Sequence, residues 1–304
     1  MDMYQKRKMR QEKKNNDNQE SFSKVSISWY PGHMVKTKRL IKERINLIDL
    51  VYEVIDARMP NSSKMKDMDE ILKNKPKILI MTKKDLCDES VTKRWVKKYE
   101  SDGYKVILLD LTNNSDYKKL IKLTNEVMEP LQKIRKEKGL KAKEIKIGVI
   151  GIPNVGKSTL INKLAGRKVA TVGNKPGVTK QVNWLKTNNG FVLLDTPGIL
   201  WPKLDDNEEA LNLASTATIK SEILNMTDIG GYLVSFLKNN YGHILKEKYN
   251  IEVVDDPTEI FAKLAKRFNM YEDGEPNYER ISEKVYRDVV NGSIKGVTFD
   301  RWIY

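Results

Sequence analysis

Cysteine and histidine are scarce in this sequence: one cysteine, Cys87, and two histidines, His33 and His243, stand among 304 residues. A lone cysteine excludes an intrachain disulfide and leaves too few thiolates for a zinc cluster, which fits a reducing compartment. Long apolar runs are missing as well. No stretch approaches the roughly 20 residues of a membrane span, and the N-terminal residues have neither an apolar signal core nor an acid-poor, Ser-rich transit composition. A cytoplasmic protein with no membrane partner is therefore expected. Acidic residues are too few to balance the basic ones: 41 Asp and Glu against 55 Lys and Arg leave a formal charge of +14. That excess points to polyanions, because Lys and Arg that neutralise phosphates release condensed counterions. Charge alone does not name the polyanion, and lysines coating solvated helix faces give the same total. With 39% hydrophobic residues the chain can bury a real core, which excludes disorder of the whole.

Three regions follow from composition and periodicity. Residues 1–24 mix both charges with Asn and Gln and lack apolar periodicity, as a disordered, mildly basic tail does. Residues 25–200 open with the turn-like WYPGHM at 29–34 and a Lys-rich stretch whose Val35, Leu40, Ile41 and Ile45 suit an amphipathic helix. Strands are expected over 48–56, 77–81, 105–109 and 145–150, with helices over 65–74, 89–101, 116–138 and from Lys157 onward. Two more strands flank the turn Asn188-Asn189-Gly190. Such alternation builds an α/β fold, a mainly parallel sheet with helices on both faces. Residues 201–304 read instead as a smaller all-helical domain, with helices over 208–224, 228–248, 257–269 and 277–291. Gly230-Gly231, Pro257, Gly274 and Pro276 punctuate it, and no run of strands is expected there.

GIPNVGKS, residues 151–158, follows an apolar strand and precedes a helix, the context that makes such a string a phosphate loop. Gly151 and Gly156 let the backbone curl so that N–H groups and the helix N-terminus surround phosphates. The expected contact run is Asn154, Val155, Gly156, Lys157, Ser158 and Thr159, with Lys157 reaching the β and γ phosphates and the Ser158 hydroxyl ligating Mg²⁺. DTPG at 195–198 closes another strand, where a carboxylate is needed to face Mg²⁺; Asp195 holds the metal through water and the Gly198 N–H senses the γ phosphate. Between them, Thr179 of PGVT (176–179) can give a second protein oxygen to Mg²⁺ when the γ phosphate is present, so this loop would order on binding and loosen on hydrolysis.

TKKD, residues 82–85, follows the strand KILIM and so falls on the ligand-bearing edge of the sheet. The Asp85 carboxylate can accept from guanine's ring N–H and exocyclic amine, a pair adenine cannot donate, while the Lys83 stem covers the base. Thr82 opens the motif. Taken together, GIPNVGKS, PGVT, DTPG and TKKD resemble the phosphate, switch, metal and base motifs of GTPases. Their order is unusual, for the base motif comes first. That order, with WYPGHM and DARMP at 56–60, resembles the circularly permuted YlqF/RbgA family of ribosome biogenesis GTPases over roughly residues 25–200.

The resemblance implies a GTP-hydrolysing switch that binds GTP and GDP as a monomer and docks on the maturing large ribosomal subunit and its rRNA. It implies a catalytic role for His33, a potassium ion near Asn154, and an RNA-binding domain after residue 200, where Lys263, Lys266, Arg267 and Phe268 suit phosphate contact and base stacking. The pattern departs from the family in two respects. Thr82 stands where Asn is commonest, exchanging an amide for a hydroxyl, and LDLTN at 109–113 offers no match to the second base-contacting loop. Ile199 also stands where many small GTPases carry a water-orienting Gln, so turnover is expected to be slow without help from another group. From the residues alone, a GTPase of another RNA process such as tRNA modification, or a GTP-sensing RNA-binding scaffold with little turnover, are the alternatives.

Overall fold

LVYEVID, Leu50–Asp56, is apolar on both faces except at Glu53 and Asp56, and all seven residues are buried. A strand covered on both faces belongs inside a parallel sheet flanked by helices, and here it is the third of six. The computed structural model describes residues 39, 41–65, 68–72, 74–168, 183–196, 207–219 and 224–301. Its main sheet comprises β1 (Leu50–Asp56), β2 (Lys77–Thr82), β3 (Lys105–Leu108), β4 (Ile145–Ile150), β5 (Asn183–Lys186) and β6 (Phe191–Asp195), in the order β3-β2-β1-β4-β6-β5. Only β5 runs antiparallel to its neighbour. The order reverses direction between β1 and β4, and open sheets of this kind bind ligands in the crevice at the C-terminal ends of such strands.

Among the described residues, the long helices α1 (Glu89–Ser101), α2 (Asn114–Glu137) and α3 (Lys157–Ala165) serve the same unit. α1 is capped by Asp88, whose carboxylate accepts from the Ser90 and Val91 N–H groups, and α2 by Asn113, which accepts from Ser115 N–H. α3 starts directly from the phosphate loop. Among the described residues of the stretch 65–74, where a helix was expected, there are short hydrogen-bonded turns, with Met68 N–H donating to Met65 O and Leu72 N–H to Met68 O. Met65, Met68 and Leu72 are buried, so the apolar spacing was real. Tertiary contacts set a different backbone: Met65 N–H goes to the Glu53 carboxylate, and Lys64 and Lys77 both pair with Asp69.

The second unit holds α4 (Asn207–Ser215), α5 (Met226–Tyr249), α6 (Pro257–Phe268) and α7 (Tyr278–Val290). The first of these helices ends at Ser215, short of the expected 224. A two-stranded hairpin, β7 (Tyr271–Glu272) and β8 (Glu275–Pro276), stands where no strand was expected. Its turn, Asp273-Gly274, has φ of 49° and 83°, the two positive angles for which Asp-Gly is selected in tight hairpins.

Residues 216–219 and 295–301, beyond the boundary expected at residue 200, pack with the sheet unit. Side-chain and main-chain hydrogen bonds hold both pieces there, among them Thr216 Oγ1 to the Met59 sulfur and Phe299 N–H to the Arg58 carbonyl. Among the described residues no helix is long and apolar enough to cross a membrane.

Gly230 and Gly231 do not break α5; both lie buried within it. A Cβ on Gly230 would stand 2.2 Å from the Ser282 Cβ of α7 and 2.6 Å from its Cα, so the two helices meet backbone to backbone. Gly230→Ala gains roughly 0.5–1 kcal/mol of helix propensity and forces the helices apart at a cost of about 1–3 kcal/mol or more. The expected outcome is net destabilisation of the helical unit, read as a lower melting temperature by circular dichroism.

Candidate nucleotide site

Because β2, β1, β4 and β6 are parallel neighbours, their C-terminal ends share one edge, and register decides what meets there. Glu53 pairs with Ile150, so β1 runs three residues beyond the end of β4 and the chain leaving β4 must pass beside it. A Cβ on Gly151 would stand 2.3 Å from the Val54 carbonyl oxygen, which leaves glycine as the residue that fits. Asn154 (φ 60°) and Gly156 (φ 92°) turn the loop through left-handed conformations, and α3 then begins with no side-chain cap at Gly156. An N-terminus of this kind directs backbone N–H groups and the positive end of the helix dipole at an anion.

Lys157 is buried, and its ammonium donates to the Ile152 carbonyl at 2.7 Å, back across the loop. Ser158 and Thr159 are half-buried on the first turn of α3, and Val155 is buried. Asp195 ends β6 opposite Val149 of β4, which sets its backbone one strand away from the phosphate loop; the neighbouring Thr196 hydroxyl donates to the Val149 carbonyl at 2.6 Å. The Asp195 side chain, together with His33, Thr179, Gly198 and Ile199, lies outside the described residues.

On the other side, register pairs Asp56 with Thr82, so the base motif starts beside the end of β1. The buried Thr82 hydroxyl donates to the Val155 carbonyl at 2.5 Å, with the Ile55 carbonyl at 3.1 Å as its other acceptor. Lys83 adopts φ 59°; its ammonium lies 2.8 Å from the Asp56 carboxylate and donates to the Asn154 carbonyl at 2.7 Å. Two segments far apart in sequence are thus tied by a hydroxyl and an ammonium. Asp85 is exposed on the short 3₁₀ turn Lys84–Leu86. The unassigned stretch 109–113 lies against this motif: Lys84 N–H donates to the Leu109 carbonyl at 3.2 Å, and Leu111 reaches to 3.0 Å from where a Gly156 Cβ would be. Asn154 donates from its side-chain amide to the Ala217 carbonyl, a partner that sequence motifs give no means of finding.

Asp56 and Arg58 were legible only as a strand-end sequence. Asp56 is fully buried and takes Arg58 by Nε at 3.1 Å and Nη2 at 2.8 Å. Burial by itself would raise the carboxyl; Arg58 and then Lys83 outweigh it and hold Asp56 ionised, far below the usual carboxylate range. Burial lowers the Lys83 ammonium, with Asp56 opposing that shift.

A model of the family described as "50S ribosome-binding GTPase" matches residues 146–263. Over 279 residues the chain is 40% identical to the ribosome biogenesis GTPase A of Bacillus licheniformis, covering 90% of this chain and 98% of that one. The chain belongs to the ribosome biogenesis GTPase A family. The Thermotoga maritima member of this family is 30% identical over 276 residues, covering 90% and 94% of the two chains. Two solved structures are also similar. GDP-bound YlqF has a TM-score of 0.62 at 27% identity over 86% of this chain and 99% of its own, and GNP-bound YlqF from T. maritima has 0.61 at 26% over 88% and 98%. The protein is accordingly a P-loop GTPase of ribosome assembly, with its base motif ahead of its phosphate loop in the chain.

Removing the Asp85 charge tests the base site. Hydrogen bonds to a charged group contribute about 1.5–3 kcal/mol each, so Asp85→Asn is expected to weaken GDP binding by roughly 100-fold while ATP binding stays as weak as before. Unchanged GDP affinity by titration calorimetry would remove Asp85 from the base site.

Proposed function

We propose that this GTPase docks on the maturing large ribosomal subunit and its rRNA in the cytoplasm as a monomer, that GTP favours the docked form, and that hydrolysis releases it late in assembly. The observation that carries the reading is the joining of base motif to phosphate loop through Thr82 and Lys83, with relatives named for ribosome biogenesis.

The residues present suit Mg²⁺: the Ser158 hydroxyl on the first turn of α3 and Asp195 at the end of the adjacent strand are hard oxygen donors of the kind this ion takes. Thr179 joins them in the proposal as a ligand that depends on the γ phosphate. Held there, Mg²⁺ would compensate phosphate charge. Lys157 then leaves the Ile152 carbonyl for the phosphates, and the uncapped turn at Gly156 receives them through backbone N–H groups. Gly198 reports on the γ phosphate. Potassium at Asn154 would draw on its side-chain oxygen, while the amide nitrogen keeps the Ala217 carbonyl.

With an aliphatic Ile199 after DTPG, a water-orienting group must come from elsewhere, and His33 is assigned that role as a neutral imidazole brought in on the particle. For rRNA contact, Lys266 and Arg267 are exposed on α6. Phe268 is a poorer stacking platform: its ring already meets Tyr249 edge-on at 5.7 Å and carries the Lys284 ammonium at 5.2 Å.

Turnover by the purified protein is expected to be slow and to rise strongly with large subunits in K⁺ buffer, for GTP and not for ATP. His33→Ala should lower the stimulated rate by about 100-fold or more; normal stimulation in that variant would remove His33 from catalysis, and equal rates in Na⁺ and K⁺ would remove potassium. GTP binding with no response to large subunits, or co-sedimentation with tRNA in their place, would overturn the proposed partner.

A further inference from the structure

Residues 296–300, GVTFD, follow the last helix of the helical unit in the chain, yet they pack into the sheet unit between the loops leaving β1 and β2. Val297, Thr298, Phe299 and Asp300 are all buried there. On the base-motif side, the Gly296 and Val297 N–H groups both donate to the carbonyl of Leu86, the residue after Asp85, at 2.9 and 3.2 Å. Asp88 N–H donates to the Thr298 hydroxyl at 3.0 Å. The Thr92 hydroxyl donates to the Ala57 carbonyl at 2.9 Å and pairs with the Thr298 hydroxyl at 2.9 Å, and the Thr298 hydroxyl also reaches the Asp88 carbonyl at 3.3 Å. A relay of hydrogen bonds therefore runs from the loop after β2, through Thr298 and Thr92, to the Ala57 carbonyl at the end of β1.

On the β1 side, Phe299 N–H donates to the Arg58 carbonyl at 2.6 Å. The Asp300 carboxylate takes the Asn61 and Ser62 N–H groups at 2.5 and 2.7 Å and the Ser62 hydroxyl as well, while its carbonyl receives Trp95 Nε1–H at 3.0 Å. The segment so held is the one whose Arg58 grips Asp56, and Asp56 holds Lys83 of the base motif. None of these groups reaches the nucleotide edge itself; each acts through a loop that does.

We propose that residues 296–300 are a positioning clamp for the guanine-base motif, and that retention of guanine nucleotide therefore depends on a segment continuous with the helical unit. The proposal rests on the GTPase reading and adds to it a covalent route by which loading of the helical unit can alter nucleotide release. The loop that carries Lys83 and Asp85 and the loop after β1, whose Arg58 holds Asp56, are fixed against each other by a third piece of chain, and loosening either half frees Lys83 and Asp85 to move.

GDP release from the full-length protein, followed with a fluorescent GDP analogue, tests this. Thr298→Val breaks the relay and Asp300→Ala removes the acceptor for three donors. Each should speed release by about 10-fold, and should raise KM for GTP with kcat at saturation changed by less than about twofold. Asp300→Asn, which keeps an oxygen for the two backbone N–H groups, should restore part of the retention. Tyr52→Phe serves as the control, since Tyr52, on β1 of the same sheet, loses a buried hydrogen bond to Thr124 of α2, away from these loops. Release unchanged in folded Thr298→Val and Asp300→Ala would overturn the proposal, as would equally fast release from Tyr52→Phe at a matched melting temperature. Failure of the wild-type protein to bind GDP at all would instead remove the nucleotide reading beneath it.

Discussion

The buried carboxylate of Asp56 is the interaction on which the site depends. It ends the central strand, lies beside Thr82 in register, and holds two cations at once, Arg58 from its own loop and Lys83 from the next strand. Burying a charge is costly unless it is paired, and breaking such a pair by removing one partner costs about 3–5 kcal/mol because the other charge is left behind. Its lowered pKa has a definite sign. A carboxylate held below its unfolded value stabilises the fold at neutral pH, and this stabilisation is lost only as pH falls below the ordinary carboxylate range.

Around that charge, three loops lock together. Lys83 carries the link onward to the Asn154 carbonyl, and Thr82 ties the same strand end to the Val155 carbonyl. The nucleotide needs base and phosphate contacts at a fixed separation, and side chains from neighbouring parallel strands supply it whichever strand comes first in the chain. Circular permutation is tolerated for this reason. In the chain, β6 is followed by the helical unit, and the helical unit is followed by the segment 296–300 that packs against the loops after β1 and β2.

A second buried cluster serves the loop between β1 and β2. Glu53, in the middle of β1, is pushed upward by burial with only partial relief from Lys64, and it takes the Met65 N–H. Lys64 and Lys77 converge on Asp69 and lie 5.0 and 5.3 Å from the Tyr104 ring centroid. Met65, Met68 and Leu72 are buried beside this cluster, whose Lys64 and Asp69 tie the same stretch of chain to Glu53 and Lys77.

Much of the architecture was legible in local pattern. The apolar runs at 48–56, 77–81 and 145–150 marked the strands Leu50–Asp56, Lys77–Thr82 and Ile145–Ile150, the pattern over 89–101 marked a helix, and GIPNVGKS between strand and helix marked a glycine-turned loop, because backbone conformation there is set by neighbouring residues and by glycine. Gly230 was visible but misread as punctuation, since a need for close approach between helices looks, in sequence, like a need for a flexible backbone. Short range also hid the Asp273-Gly274 hairpin, only two residues to a strand. What the sequence by itself determined is the set of motifs, their permuted order and hence the family chemistry. Tertiary structure alone decided that Asp56 and Arg58 support the Lys83 loop, that Asn154 meets Ala217, and that Asp300 returns across 239 and 238 positions to hold Asn61 and Ser62. Each of those rests on hydrogen bonds between groups distant in the chain, and no local propensity records them.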